Sequence, residues 1–393
     1  MFMAQPPAAV STNKRLLWID IAKGIGILWV VYFHFVTNYL DADVNPNIPS
    51  VGSGHFWQSV SGEHGWDSLT NTAQTLATGL GWGVSLIGFH AVGLFVLLGG
   101  WALAQTTWRK AEKGPIVWGK WYGQRLLRLY PMYWCAHLLF LALPFTWLEP
   151  IDGRFLISLT GLRWINIETN FMYGNAAWWY FAMLLELYVL FPLLFIALRR
   201  LGPLAFLLLC LAVGFAARYA LLVPLQANGF WLLGGNCLSR LPEFALGMTL
   251  GVWHLRNQAK VERFVLGIPA ILAGCAMYYG VSLVSGGAIP YVFSDLYTAL
   301  SCSLLVLGVS GLLQRSEFWA KWIGRVGTYS FGIYLIHQPL VTWLGQRIKT
   351  VPNLEFGLIA VAVLLAFSVF GIWLETSVNR LTERIISKPA AAS

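Results

Sequence analysis

Charge is what this sequence is short of. Only 11% of its 393 residues are Asp, Glu, Lys or Arg, against 57% apolar, where a soluble domain averages about 25% charged residues. So little polar surface excludes a water-bathed globule and points to a bilayer. Familiar soluble-enzyme signatures are missing too: no complete Walker A loop, no His-Glu-x-x-His and no Gly-x-Ser-x-Gly elbow. The five cysteines (Cys135, Cys210, Cys237, Cys275, Cys302) lie singly in apolar stretches. They match no metal-ligand spacing and no disulfide framework, and read as packing residues. No tandem repeat or low-complexity block appears.

What is present is a series of long apolar runs. They predict helices at 16–38, 82–106, 129–148, 177–198, 203–224, 237–254, 264–285, 293–313, 328–346 and 356–377. Each is near the ~20 residues that cross a hydrocarbon core about 30 Å thick. The fold class expected is therefore all-α, a polytopic membrane protein with about ten transmembrane helices. The first run follows Lys14 and Arg15 but is too long for a secretory signal and carries Asp20 and Lys23, so it is expected to be retained. With the N-terminus in the cytoplasm, 19 of the 26 Lys and Arg fall in inner segments and four in outer loops. That positive-inside asymmetry places both termini in the cytoplasm and accounts for the net charge of +9 without nucleic acid. Residues 1–14 and 386–393 read as tails around one membrane domain spanning 15–385.

Ionisable groups inside the runs are the candidates for function, because a charge at mid-bilayer costs roughly 2.5–3.5 kcal/mol on insertion scales. In "WIDIAKGIGILWVVYFHF", Lys23 and His34 are eleven residues apart. That is three turns, about 16 Å along one helix face. Two readings fit: a cation and an imidazole along a tunnel, or a snorkelling lysine and a histidine bonded to a neighbouring helix. Glu186 falls near mid-depth of its helix. Arg240 and Glu243 are three apart and able to pair with one another. His337 sits about nine residues into its span, as a site or as a structural hydrogen-bonding ring. Arg218 shows no partner in the sequence and reads as structural, and His90 stays undecided between acceptor and loop cap. "RLLRLYP" sets Arg125 and Arg128 on one side of a turn at the foot of the third helix, fit to grip phosphates or to anchor topology. Gly247 and Gly251 form a small-xxx-small pair that lets two helices approach closely.

These stretches together resemble the acyltransferase family 3 membrane proteins. "WIDIAKGIGILWVVYFHF" is similar to the family's first helix, whose hallmark is Arg or Lys, ten residues, then His; Lys23 and His34 keep that spacing. "AVGLFVLLGGWAL", "RLLRLYPMYW", "WWYFAMLLELYVLFPLL", "RLPEFALGMTLG" and "GTYSFGIYLIHQPL" resemble its later blocks in order. The resemblance implies transfer of an acyl group, acetyl first among the options, from cytoplasmic acyl-CoA to a hydroxyl of an extracytoplasmic or lipid-linked carbohydrate at the inner membrane. It implies His34 as catalytic group with Glu186 orienting it. Arg125, Arg128, Lys23 and Lys120 become the CoA-phosphate ligands. Trp178, Tyr180, Arg240, Glu243, Tyr334 and His337 become acceptor or oxyanion contacts. No resident metal or cofactor is expected. The chain departs from the family in having Gly99-Gly100 where a serine usually precedes the glycine. Many relatives add an extracytoplasmic esterase-like domain that is not seen here, so direct transfer or a separate protein is implied. The rival class is a glycan or lipid transporter, which predicts inverted repeats that the hydropathy does not show.

Overall fold

The computed structural model describes residues 16–40, 69–143, 151–167, 171, 173–227, 230–280, 288–348 and 353–387. Within them the chain is helical and contains no β-strand. Outside them lie the N-terminal tail, nearly all of the C-terminal tail, and the outer-loop residues His55, Glu63, His64 and Asp67.

The helices are α1 (Leu17–Leu40), α2 (Leu69–Ala111), α3 (Trp118–Leu141), α4 (Gly153–Thr160), α5 (Trp179–Leu201), α6 (Pro203–Leu222), α7 (Leu241–Arg256), α8 (Gln258–Val265), α9 (Ile268–Gly280), α10 (Ala288–Leu313), α11 (Glu317–Thr328), α12 (Ser330–Arg347) and α13 (Asn353–Ser387). Six stretches are long and apolar enough to cross a membrane, or seven if α8 and α9, bent by 54° at their junction, make one span. Each of the ten expected runs falls on helix where it is described, 129–148 and 264–285 only in part, but α3, α7 and α12 fall outside the membrane-crossing set. α7 has only 16 residues, and α12 has 18 and carries His337, Gln338 and Thr342. α2 begins at Leu69 rather than 82, and α3 begins at Trp118 rather than 129. The polar stretch "WGKWYGQRLLR" prolongs the helix below its apolar part, so the connection from α2 shrinks to 112–117.

α2 stands centrally, packing on α1 and α10 on one flank and on α7 on the other. The α2–α7 seam depends on missing side chains. A Cβ at Gly247 would run into the Leu97 carbonyl, and one at Gly251 would lie 2.7 Å from the Trp101 carbonyl oxygen. The small-xxx-small pair of the sequence therefore does join two backbones. α1 and α12 run side by side, Gly345 lying against Asn38 at one end and the His34 and His337 rings meeting lower down.

α12 owes its place to a proline. Pro339 lacks the N–H that would bond the Leu335 carbonyl one turn back. That carbonyl instead accepts from Trp178 Nε1 at 3.0 Å and Asn175 Nδ2 at 2.9 Å, which locks α12 to the entrance of α5. Tyr334 completes the clasp: its hydroxyl donates to the Ala177 carbonyl at 2.6 Å and accepts from the Phe181 amide at 3.1 Å.

Candidate active site

Between α1, α2, α12 and the start of α5 lies a cavity of about 570 Å³. Its two sides differ in chemistry. One is built by α1 and α12 and carries His34, Thr37, Asn38, Tyr334, His337 and Gln338; the other is apolar, with Phe89, Val92 and Phe95 of α2, Phe171, Phe230 and Leu233. Tyr180 also lines it. An amphipathic lining of this kind is the usual form of a small-molecule site, apolar walls with a few placed polar groups.

The two imidazoles are the centre of the polar side, their rings 5.2 Å apart. His34 is partly exposed to the cavity. The backbone carbonyl of His34 is held by Asn38 Nδ2 at 2.6 Å, while its ring has no hydrogen-bond partner among the described residues. His337 is fully buried, and its Nδ1 lies 2.8 Å from the Tyr334 carbonyl. A carbonyl only accepts, so Nδ1 carries the proton, and in the neutral ring Nε2 is left with a lone pair.

The expected donor ligands gather at the other end of α1. Lys23 pairs with Asp20 at 2.8 Å. Arg125 lies over the Trp121 ring at 5.4 Å, within electrostatic reach of Arg128. Glu375 of α13 feels the positive charges of Arg128 and Lys23, and its Oε2 accepts from the Gly332 amide, at the foot of α12, at 2.7 Å. Lys23, Arg125 and Arg128 thus form one basic region below the cavity, on elements that lead up to the two histidines. Lys120 is exposed on the first turn of α3. Sequence reasoning missed Glu375; the available signal was a lone carboxylate in the apolar run "GIWLETS". It also missed Gln338, next to His337.

Several expected acceptor contacts lie elsewhere. Trp178 is completely buried, stacked on His137 at 4.0 Å, and does not line the cavity, so it is core rather than a sugar platform. Tyr334 borders the cavity, but its hydroxyl is committed to the clasp on α5. Glu186 lines no part of the cavity; its Oε2 accepts from the Cys237 amide at 2.9 Å, tying α5 to the turn before α7. It is placed to support that turn rather than to orient His34. Arg240 and Glu243 pair at 3.0 Å within a larger ionic cluster. Asp295 of α10 lies 2.6 Å from Arg218 and 3.4 Å from Arg240. Arg218 also donates to the carbonyls of Val292 at 2.6 Å and Tyr291 at 2.9 Å. Asp295, unmarked in the sequence reading, is the partner Arg218 lacked. Gly99, the family departure, faces open space: a Cβ there would meet nothing within 4 Å. No group of three or more potential metal ligands occurs among the described residues.

A bundle of apolar helices around a half-polar, two-histidine cavity defines a multi-pass membrane protein with a small-molecule site. The family follows from the sequence itself: the acyltransferase 3 profile, described as an acyltransferase domain, matches residues 16–374. This covers nearly the whole chain, which therefore belongs to that acyltransferase family. No match was found among curated proteins or among solved structures.

Proposed function

We propose that this protein is a membrane O-acyltransferase that moves an acyl group, acetyl in the simplest case, from cytoplasmic acyl-CoA to a hydroxyl of an extracytoplasmic or lipid-linked carbohydrate. The observation that carries the reading is His34: it lines the cavity, with Lys23 three helical turns away on the same helix and Arg128 sharing the neighbourhood of Glu375 with it. The CoA phosphates bind that basic region by charge-assisted hydrogen bonds, and the pantetheine arm extends toward the cavity. The neutral His34 imidazole takes the proton of the acceptor hydroxyl as its oxygen attacks the thioester carbonyl. The C–O ester bond forms and the C–S bond breaks. The proton passes from His34 to the thiolate sulfur, so CoA leaves as the thiol and the histidine returns to its neutral form. The positive-inside pattern of the sequence supports cytoplasmic termini, and the family resemblance supports a bacterial-type inner membrane.

The test is incubation of the purified protein with radiolabelled acetyl-CoA and a crude envelope glycan, following CoA release and label on the glycan. His34→Ala should lower transfer about 10²- to 10⁴-fold, the usual contribution of a general base, while the thermal midpoint stays within a few degrees. Full transfer by folded His34→Ala would sink the mechanism.

A further inference from the structure

Two acceptors on the polar side of the cavity have no partner among the described residues. Asn38 Nδ2 is engaged by the His34 carbonyl, Thr37 Oγ1 by the Phe33 carbonyl at 2.9 Å, and the Tyr334 hydroxyl by the start of α5. His337 Nε2 and Gln338 Oε1, by contrast, are buried and have no partner among the described residues. A buried acceptor left unpaired costs roughly 1–3 kcal/mol, so such a group persists where something outside the chain completes it.

We propose that His337 is the acceptor-positioning residue, its Nε2 accepting a hydrogen bond from a second hydroxyl beside the one being acylated. This rests on the acyltransferase reading above and narrows it: the acceptor is a polyol with two neighbouring hydroxyls, one on His34 and one on His337. In the neutral ring the geometry favours this role over the oxyanion one. With Nδ1–H fixed on the Tyr334 carbonyl, the neutral ring presents a lone pair, which repels a developing oxyanion and attracts an O–H. Ring centres 5.2 Å apart let the two imidazoles each reach one of two adjacent hydroxyls. Phe89 and Phe95, which also line the cavity, offer apolar surface to the C–H face of a ring so held. A site built to bond a substrate hydroxyl discriminates strongly against analogues that lack it, and water is the smallest such analogue.

The experiment compares His337→Asn with His337→Gln in the labelled acetyl-CoA and glycan assay, reading the ratio of label on glycan to total CoA released. Asn keeps an N–H for the Tyr334 carbonyl but offers nothing at the Nε2 position; Gln restores an oxygen there. The expected result is a ratio at least tenfold below wild type for His337→Asn and largely restored for His337→Gln. An unchanged ratio in His337→Asn, or an equally low one in both, overturns the proposal. Should His337→Asn fail to fold, His337→Gln alone decides, because it must keep the wild-type ratio. Wild-type protein that releases no CoA, or does so without needing His34, would instead overturn the acyltransferase reading and leave the two failures distinct.

Discussion

Two of the polar regions described inside this apolar bundle make a contrast. Around Arg218, charges meet counter-charges: Asp295 serves both Arg218 and Arg240, and Glu243 takes Arg240 as well. Around His34 and His337, the rings come close to each other and to a cavity, yet His337 Nε2 and Gln338 Oε1 find no partner among the described residues. In a medium with no water to satisfy a stray polar group, the first arrangement holds helices together. The second leaves valence for a ligand. Arg218 and His34 are equally conspicuous as residues in an apolar run, and only their partners separate a brace from a site.

The contrast can be broken most forcefully from the ionic side. Asp295→Ala strands two buried guanidinium groups with one carboxylate, and removing one partner of a buried pair typically costs about 3–5 kcal/mol. A large fall in the thermal midpoint is expected, with donor affinity intact in the protein that remains folded. A stable Asp295→Ala protein that has lost transfer would put Asp295 in the site and erase the distinction. Next in size is Arg125→Ala or Arg128→Ala. Losing a charge-assisted bond to phosphate, about 1.5–3 kcal/mol, should weaken acetyl-CoA binding tenfold or more by calorimetry, with the midpoint unmoved. Unchanged affinity in both would return the pair to topology alone.

Smaller still is Tyr334→Phe. Because its hydroxyl serves the clasp, stability should fall by about 1 kcal/mol and transfer by no more than a few-fold; a hundredfold loss of transfer would restore the hydroxyl to the chemistry. The smallest effect lies in the water-facing turn before α4. The Asp152 carboxyl, held below its ordinary value chiefly by the Arg154 side chain, caps the Arg154 amide at 2.8 Å. A depressed folded-state value means its contribution is complete above the ordinary carboxylate range and lost as pH falls through the depressed one. Hydrogen exchange over 153–160 should accelerate on acidification in the wild type, and the Asp152→Asn variant should lack that dependence.

The sequence made the helices legible because a bilayer demands runs of apolar residues, and each expected run falls on helix in its described residues, 264–285 on two helices bent at their junction. Boundaries were read less well where polar residues continue a helix beyond its apolar part, as "WGKWYGQRLLR" does for α3. Lys23 and His34 could be read as a pair because eleven residues on one helix fix their face and separation without tertiary information. Arg218 was legible as structural but not its partner Asp295, and Glu186 and Trp178 were not legible, because their roles depend on the Cys237 amide and His137, which come from distant segments. The Leu335 carbonyl shows the intermediate case. Pro339 announces that a carbonyl is freed, but only the fold says that Trp178 and Asn175 take it.

The glycine seam between α2 and α7 has a mechanical consequence. Where two backbones touch with no side chains between them, there is no compliant layer to shear, so the pair moves as a single strut. α2 supplies Phe89, Val92 and Phe95 to the cavity, so this apolar lining is mounted on that strut. The opposite side is tied down as well: α12 packs along α1 and against α13, where Gly371 meets the Ile333 backbone, so the polar groups of the cavity are also set on closely packed helices.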